Sequence, residues 1–536
     1  MSVLNHKYTL ILFLIVSTAI ILRLPDLALR PMHGDEAVNA VKFAELLETG
    51  RFEYNPQEYH GPALYYLTLP SAWLNGSKNL QSLDEIILRL VNAVAGIILV
   101  LLPLLLIGNW SVLSITFIIL LASISPAFVF YSRYYIHEMI LVLFNYSTIF
   151  CTYWYIRDKK IIWLLVSAVS FGIMIATKET WLLIVTAMVA ALLITPLFSV
   201  SNRNSILVKI REIPGSHWFI FISIAVLIVF LLFTSFMQRI ADLSHILTAY
   251  KTYFARGSEN IIHVHPWYMY FKWLLFFPNG EGGYWSEGLI AISALIGFYF
   301  ILIKKNPKVP VNTFVIFITV FSLILTALFS LIPYKTPWNL LTFWYGLIIV
   351  AGYGVYRIID AVTKKEIRLV ISVLFILAAG HLAWQSYMIN YEKYASADNP
   401  YCYAQPVNDI IKLKDKLDQI ARVTDQGYQI HIQVIAAKND YWPLPWYLRE
   451  FKRTGWWDHV DLSGSSAPVI LAAADMQEQL VQKLYEIPPP GKRILYLPLF
   501  EEYMELRPGV EWHGYITKTI WDQLNSLDLP EFPQTK

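Results

Sequence analysis

Eleven stretches of this chain are apolar over roughly the 20 residues needed to cross a bilayer as a helix. They lie near 8–24, 84–107, 110–131, 137–156, 161–177, 181–199, 217–236, 287–303, 313–332, 338–357 and 368–389. A water-soluble globule is excluded by this pattern, and the charge content agrees. Only 15% of the residues are charged, against about 25% in soluble domains. Lys and Arg number 42 and Asp and Glu 39, so there is no basic footprint for nucleic acid. The first segment has no basic flank beyond Lys7 and no small-residue cleavage site, so it reads as a span and not as a cleaved signal. Two cysteines, Cys151 and Cys402, are too few for a disulfide framework or a cysteine-based zinc module.

Basic residues fall unevenly between the connections. One alternating set holds Arg157, Lys159 and Lys160, then Arg203, Lys209 and Arg211, then Lys304, Lys305 and Lys308, then Arg357, Lys364, Lys365 and Arg368. The opposite short loops hold little more than Arg133, Lys178 and Lys335. The positive-inside rule then sets the N-terminus in the cytoplasm. With eleven spans, residues 390–536 lie outside the cell membrane. The expected organisation is a membrane domain over 1–389, with outer loops 25–83 and 237–286, followed by an extracytoplasmic domain over 390–536.

That last region reads as a soluble α/β domain. Helical patterns near 405–421 and 474–485 alternate with short apolar runs near 430–436, 468–473 and 493–498, as in a layered α/β unit. The stretch Tyr441-Trp442-Pro443-Leu444-Pro445-Trp446-Tyr447 suits glycan contact, membrane-surface contact or the hydrophobic join to the membrane part, and the join is the favoured reading. Arg449, Lys452 and Arg453 extend it as a charged helix. Acceptor recognition, partner docking and a lid are the three roles open to the domain.

Polar residues at the outer face are few and therefore informative. After Arg30-Pro31-Met32-His33-Gly34-Asp35-Glu36 comes a helical pattern to Gly50, with Ala37, Val41, Ala44 and Leu47 at helical spacing, expected to lie along the interface. Asp35 at its start is stabilised by the helix dipole; the plain alternative makes Asp35 and Glu36 cap and first-turn residues. Glu138 opens the fourth span just after Arg133 and His137. Ionisable groups at that depth are functional candidates, with a Glu138–Arg133 pair as the alternative. Lys178 sits in a short turn, able to meet a phosphate or to pair with Glu179. His263, His265, Trp267, Tyr284 and Trp285 form an aromatic-rich outer surface suited to sugar stacking, or to an interfacial aromatic belt. Lys335 is the cation of another outer turn.

Together these segments bring acids (Asp35, Glu36, Glu138), cations (Arg133, Lys178, Lys335) and histidines (33, 60, 137, 263 and 265) to one face. Carboxylates beside cations at a membrane surface suit a lipid-linked phosphate whose attached group passes to an outside acceptor. Cations would neutralise the leaving phosphate, and a carboxylate would take the proton of the attacking hydroxyl. The same groups could instead hold a divalent metal through oxygens and imidazoles, although no spacing such as His-x3-His occurs and no cofactor is required. An ion-coupled transporter fits less well, because its acids would sit near the bilayer midplane.

The first outer loop resembles a known group. Gly34-Asp35-Glu36-Ala37, then Leu46-Leu47-Glu48-Thr49-Gly50, then Gly61-Pro62-Ala63-Leu64-Tyr65-Tyr66 are similar to the GT-C membrane glycosyltransferases, in the protein O-mannosyltransferase and aminoarabinose-transferase branch (family 39-like). Arg89 through Gly96, Ser132 through Glu138, and Ala176-Thr177-Lys178 extend the likeness. His265-Pro266-Trp267-Tyr268, Gly283 through Gly288, Lys335-Thr336-Pro337-Trp338 and the Tyr441–Tyr447 stretch look like the flippase-activity-associated subfamily. The resemblance implies a polyprenyl-phosphate-sugar donor and an acceptor hydroxyl on a glycan, lipid or protein. It also implies inversion at the sugar carbon, with Asp35 as general base, Glu138 as second acid and Lys178 on the donor phosphate. His60 stands where the aminoarabinose branch has a lysine, and it could replace that phosphate contact when protonated, near pH 6.5. The competing expectation is a non-catalytic partner of lipid-linked-glycan flipping.

Overall fold

The computed structural model describes residues 6–198, 206–246, 248, 263–304 and 311–526. Arg203, Lys305, Lys308, most of 247–262 and the last ten residues of the expected outer domain lie outside the described residues. The first helices are α1 (His6–Ile21), α2 (Gly34–Thr49), α3 (Ala63–Leu74), α4 (Glu85–Leu101), α5 (Val112–Ile124), α6 (Pro126–Ser132) and α7 (Glu138–Asp158). Next come α8 (Ile161–Ile175), α9 (Trp181–Phe198), α10 (Ile206–Arg211) and α11 (Gly215–Phe233). Further apolar helices run over Gly288–Phe298, Thr313–Leu331, Leu341–Ala361 and Lys365–Tyr387.

Each expected span coincides with an apolar helix. Seven are long enough to cross a membrane by themselves, α5 and α6 form an eighth as a bent pair, and three are shorter. The bend of 59° has a local cause. Pro126 cannot continue the α5 hydrogen-bond ladder and starts α6 instead. Glu287 reaches into the break, accepting from Ser125 Oγ at 2.6 Å and from the Ala127 N–H at 2.8 Å. Trp344 Nε1 and the Tyr401 hydroxyl complete its shell at 2.9 and 2.6 Å. A buried carboxylate with four donors is satisfied, and it joins three spans to the segment that follows the last one.

A hairpin of β1 (Phe277–Pro278) and β2 (Tyr284–Trp285) lies between membrane helices. The C-terminal region is a mixed sheet of β3 (His431–Ile435), β4 (Arg453–Trp457), β5 (Val469–Ala473), β6 (Tyr496–Pro498) and β8 (Val510–Thr517), in the order β4-β3-β5-β8-β6. The short β7 (Glu505–Arg507) pairs with β8. β3 is parallel to both neighbours, and β8 is antiparallel to β5. Alternate residues divide the sheet. Ile432, Val434, Val469 and Leu471 join the core that runs into the membrane helices, while Ile435, Ile470 and Ala472 pack on the other side with Leu480 and Leu484.

Three expected apolar runs are therefore strands, and the helix expected near 405–421 is Asp409–Val423. The reading of Arg449–Arg453 as a charged helix is corrected. The helix there spans only Leu444–Tyr447, and Arg453 opens β4.

The aromatic stretch is the join between the two parts. Trp446 is fully buried and donates to Glu85 Oε1 at 2.7 Å. Tyr447 accepts the Met32 N–H at 2.8 Å, and Arg449 lies over the Trp446 ring and donates to the Leu83 carbonyl. These contacts reach the residues just before α2 and α4, so the sheet region and the first loop form one face.

Candidate active site

The α2 helix begins with a cap that uses a histidine. His33 Nδ1 accepts the Asp35 N–H at 3.0 Å, while the Glu36 carboxylate accepts the His33 N–H at 3.0 Å. Two N–H groups that a helix start leaves unpaired are thereby satisfied. The chain leaves α2 through Gly50, whose φ of 68° is the left-handed conformation common at helix ends. The helix buries Glu36, Ala37, Asn39, Lys42, Phe43 and Leu46 within the protein.

Neighbouring acids on this helix have different fates. Glu36 is fully buried, and both its oxygens take Arg89, from Nε and from Nη2, at 2.8 Å each. It also accepts the Tyr135 N–H at 2.7 Å. Burial would raise this carboxyl, but Arg89 and Arg30 hold it down to about 2. Its lone pairs are committed, so the expectation of a catalytic Glu36 is corrected to an ordering role. Asp35 is exposed, and among the described residues its carboxylate has no recorded hydrogen bond or ion pair.

Arg133 is likewise committed. It donates to the carbonyls of Pro25 at 2.5 Å and Asp26 at 2.8 Å, and to the Tyr391 hydroxyl at 3.0 Å. A guanidinium tied to chain carbonyls stitches loops together.

The remaining polar residues form two groups. In the first, Lys178 donates to Glu138 at the first turn of α7, with both side chains buried. Glu179 turns the other way, to His60 Nδ1 at 2.7 Å and the Tyr54 hydroxyl at 3.2 Å. Both simple pairings expected from adjacency, Glu138–Arg133 and Lys178–Glu179, are thus replaced by longer-range ones. His137 reaches the Gly61 carbonyl at 3.2 Å, and its ring meets that of His60 edge-on at 5.3 Å. Gly61 is required here: a Cβ on it would lie 2.3 Å from the Ala176 carbonyl oxygen. That same oxygen accepts the Ala63 N–H at 2.9 Å, which docks the start of α3 on the end of α8.

The second group surrounds the start of α2. His263 Nδ1 and His265 Nε2 share the Tyr403 hydroxyl at 2.7 and 3.2 Å, and Tyr403 accepts His33 Nε2 through its carbonyl at 2.9 Å. The Trp338 ring packs on His33 and Tyr403. Lys335 is buried and donates to the carbonyls of His265 and Ile332, so it belongs to this group and not with Lys178.

One turn beyond Asp35, Asn39 links the groups. It donates to the Tyr135 carbonyl and accepts from Tyr65 at 2.8 Å, and the Tyr65 ring lies 5.5 Å from His137. Of the expected sugar-facing aromatics, Trp267 (64% exposed) and Tyr284 are open. Trp285 is 4% exposed and donates to the Asp398 carbonyl at 2.8 Å, which leaves it no face for stacking. Among the described residues no three His, Cys, Asp or Glu side chains are grouped to hold a metal ion.

An apolar cleft of about 430 Å³ opens between α8 and α11, lined by Phe171, Ile175, Phe221, Ala225, Val229 and Leu243. Ile175, the last residue of α8, is three residues before Lys178.

Sequence reasoning missed Tyr403, Glu287 and the pairing role of Arg89. Arg89 had a signal, an arginine in an otherwise apolar span. Tyr403 had none, because its partners are distant in the chain.

Solved structures share this architecture. ArnT from Cupriavidus metallidurans bound to undecaprenyl phosphate superimposes with a TM-score of 0.57 at 13% identity, covering 94% of this chain and 97% of the other. The oligosaccharyltransferase AglB from Archaeoglobus fulgidus, solved with an inhibitory peptide and a dolichol-phosphate, gives 0.54 at 11% identity over 88% and 70%. No curated protein sequence matches the chain. The fold is that of the GT-C membrane glycosyltransferases, and the chain is an integral membrane protein. Within the chain, residues 65–276 match the model of the family described as dolichyl-phosphate-mannose-protein mannosyltransferase.

Proposed function

We propose that this protein transfers a sugar from a polyprenyl-phosphate donor to an acceptor hydroxyl on the extracytoplasmic face of the membrane, with inversion. The observation that carries the reading is an open carboxylate, Asp35, on the helix that Asn39 ties to the polar group holding the buried Lys178. Asp35 is exposed at a helix N-terminus, and Lys178 follows the end of α8, which forms one wall of the apolar cleft. The family match and the lipid phosphates bound to the similar structures support the same donor class.

The prenyl chain would occupy the cleft and its phosphate would compete with Glu138 for the Lys178 ammonium, flanked by His60. An acceptor oxygen attacks the anomeric carbon as the bond from that carbon to the phosphate oxygen breaks. Lys178 balances the charge developing on the departing phosphate. Asp35 takes the hydroxyl proton, which then passes to water. A single displacement inverts the sugar carbon, and lipid phosphate leaves without a general acid. Trp267 and Tyr284 are the open aromatic faces for sugar or acceptor.

The test is incubation of purified full-length protein with a panel of prenyl-phosphate sugars, with and without chelator. Transfer by wild type and none by Asp35→Asn is the expected result. Donor binding without product would overturn catalysis in favour of a flippase-associated role.

A further inference from the structure

Tyr403 lies in the strap between the last membrane helix and the sheet, yet three separate parts of the site meet on it. His33 Nδ1 accepts the Asp35 N–H, so the His33 proton sits on Nε2 and is donated to the Tyr403 carbonyl at 2.9 Å. A phenol has one proton and can donate to only one of two histidines. In the arrangement proposed below, the phenol donates to His263 Nδ1 at 2.7 Å and His265 donates from Nε2 at 3.2 Å. With Nδ1 accepting, His263 carries its own proton on Nε2.

Asp35 acts electrostatically on His263. The other groups facing His263 are His265, the Tyr334 ring at 5.1 Å and Lys335, whose N–H binds the His263 carbonyl.

We propose that Tyr403 is a positioning residue: its hydroxyl holds neutral His263 in one tautomer, while its carbonyl, through His33, holds the first turn of the Asp35 helix. This rests on the reading of Asp35 as the base. The phenol proton on Nδ1 opposes protonation of His263. Without it, a cationic His263 would act through its charge on the Asp35 carboxylate and weaken it as a base toward an incoming hydroxyl.

The experiment uses full-length protein in nanodiscs as wild type, Tyr403→Phe, Tyr403→Ala and Asp35→Asn, with two readouts. In nitrogen-15 histidine NMR, with the His263 signal assigned through His263→Asn, Tyr403→Phe should lose the single-tautomer pattern and raise the titration midpoint of His263. In transfer assays, kcat should fall about tenfold, as for small misplacements near reacting groups, with donor KM nearly unchanged and the acid limb moved to higher pH. Tyr403→Phe keeps the ring and should melt as wild type does, whereas Tyr403→Ala should melt lower. A wild-type His263 tautomer and midpoint in Tyr403→Phe would overturn the proposal whatever the activity. So would a wild-type rate and pH profile in Tyr403→Phe while Asp35→Asn is dead. Absence of product from wild type would sink the glycosyl-transfer reading and leave the NMR result to decide Tyr403's hold on His263.

Discussion

Arg89 grips both carboxylate oxygens of Glu36 at 2.8 Å across 53 positions of sequence, and this contact separates Glu36 from its neighbour Asp35. Removing one partner of a buried pair leaves an uncompensated charge, at about 3–5 kcal/mol. Glu36→Ala and Arg89→Met should each lower the melting temperature of the purified protein markedly. Thermal unfolding of either variant at the wild-type temperature would mean that the pair does not order the first loop.

Asp35 is expected to behave oppositely. Its carboxylate is exposed, so Asp35→Asn should leave melting unchanged. Loss of a general base costs about 10²–10⁴ in rate, and steady-state transfer assays should show that loss in kcat, not in donor KM.

Lys178 has both a structural and a functional load. Lys178→Met strands buried Glu138 and should destabilise by about 3–5 kcal/mol. The double variant Lys178→Met, Glu138→Gln should recover most of that stability without recovering donor affinity. Equal recovery of melting temperature and donor KM would leave Lys178 with no part in phosphate binding.

The Glu179–His60 contact predicts an acid-sensitive step. Burial would raise the Glu179 carboxyl, but His60 beside it, through charge and a hydrogen bond, lowers it from 4.5 to about 2. A carboxyl depressed on folding contributes stability that is present above its unfolded value and lost as pH falls through the folded one. Melting temperature should therefore drop between pH 4.5 and about 2, and Glu179→Gln should flatten that part of the profile.

The two tryptophans of the outer loops make a contrast. Trp285→Ala removes a buried ring and its bond to Asp398, at about 3–5 kcal/mol. Trp267→Ala removes an exposed one and should leave melting unchanged. A fall in acceptor use by Trp267→Ala alone would assign that face to the acceptor.

Elements made by local pattern were legible in the chain. The apolar helices, β3, β5 and the start of α2 follow from residues within a few positions of each other. Strand β4 was not legible, because Arg453-Thr454-Gly455-Trp456-Trp457 has no alternation, and its place beside β3 comes from packing. In the candidate site, Asp35, Glu138, Lys178 and the two histidines of loop 237–286 stood out because ionisable groups are scarce in those connections. Arg133 and Lys335 stood out for the same reason and Trp285 as part of an aromatic-rich stretch; the fold ties both cations to chain carbonyls and buries Trp285.

By itself the sequence determined how many times the chain is apolar enough to span, where the polar turns fall, and which few acids and cations lie in them. Those are properties of short windows, set by the cost of placing charge in hydrocarbon. Only the tertiary structure decided which carboxylate is free. A buried charge must find a partner, and the partners were Arg89 for Glu36, Lys178 for Glu138 and His60 for Glu179. Each lies 40 or more residues away, beyond the reach of any local pattern, and Asp35 is left open to solvent.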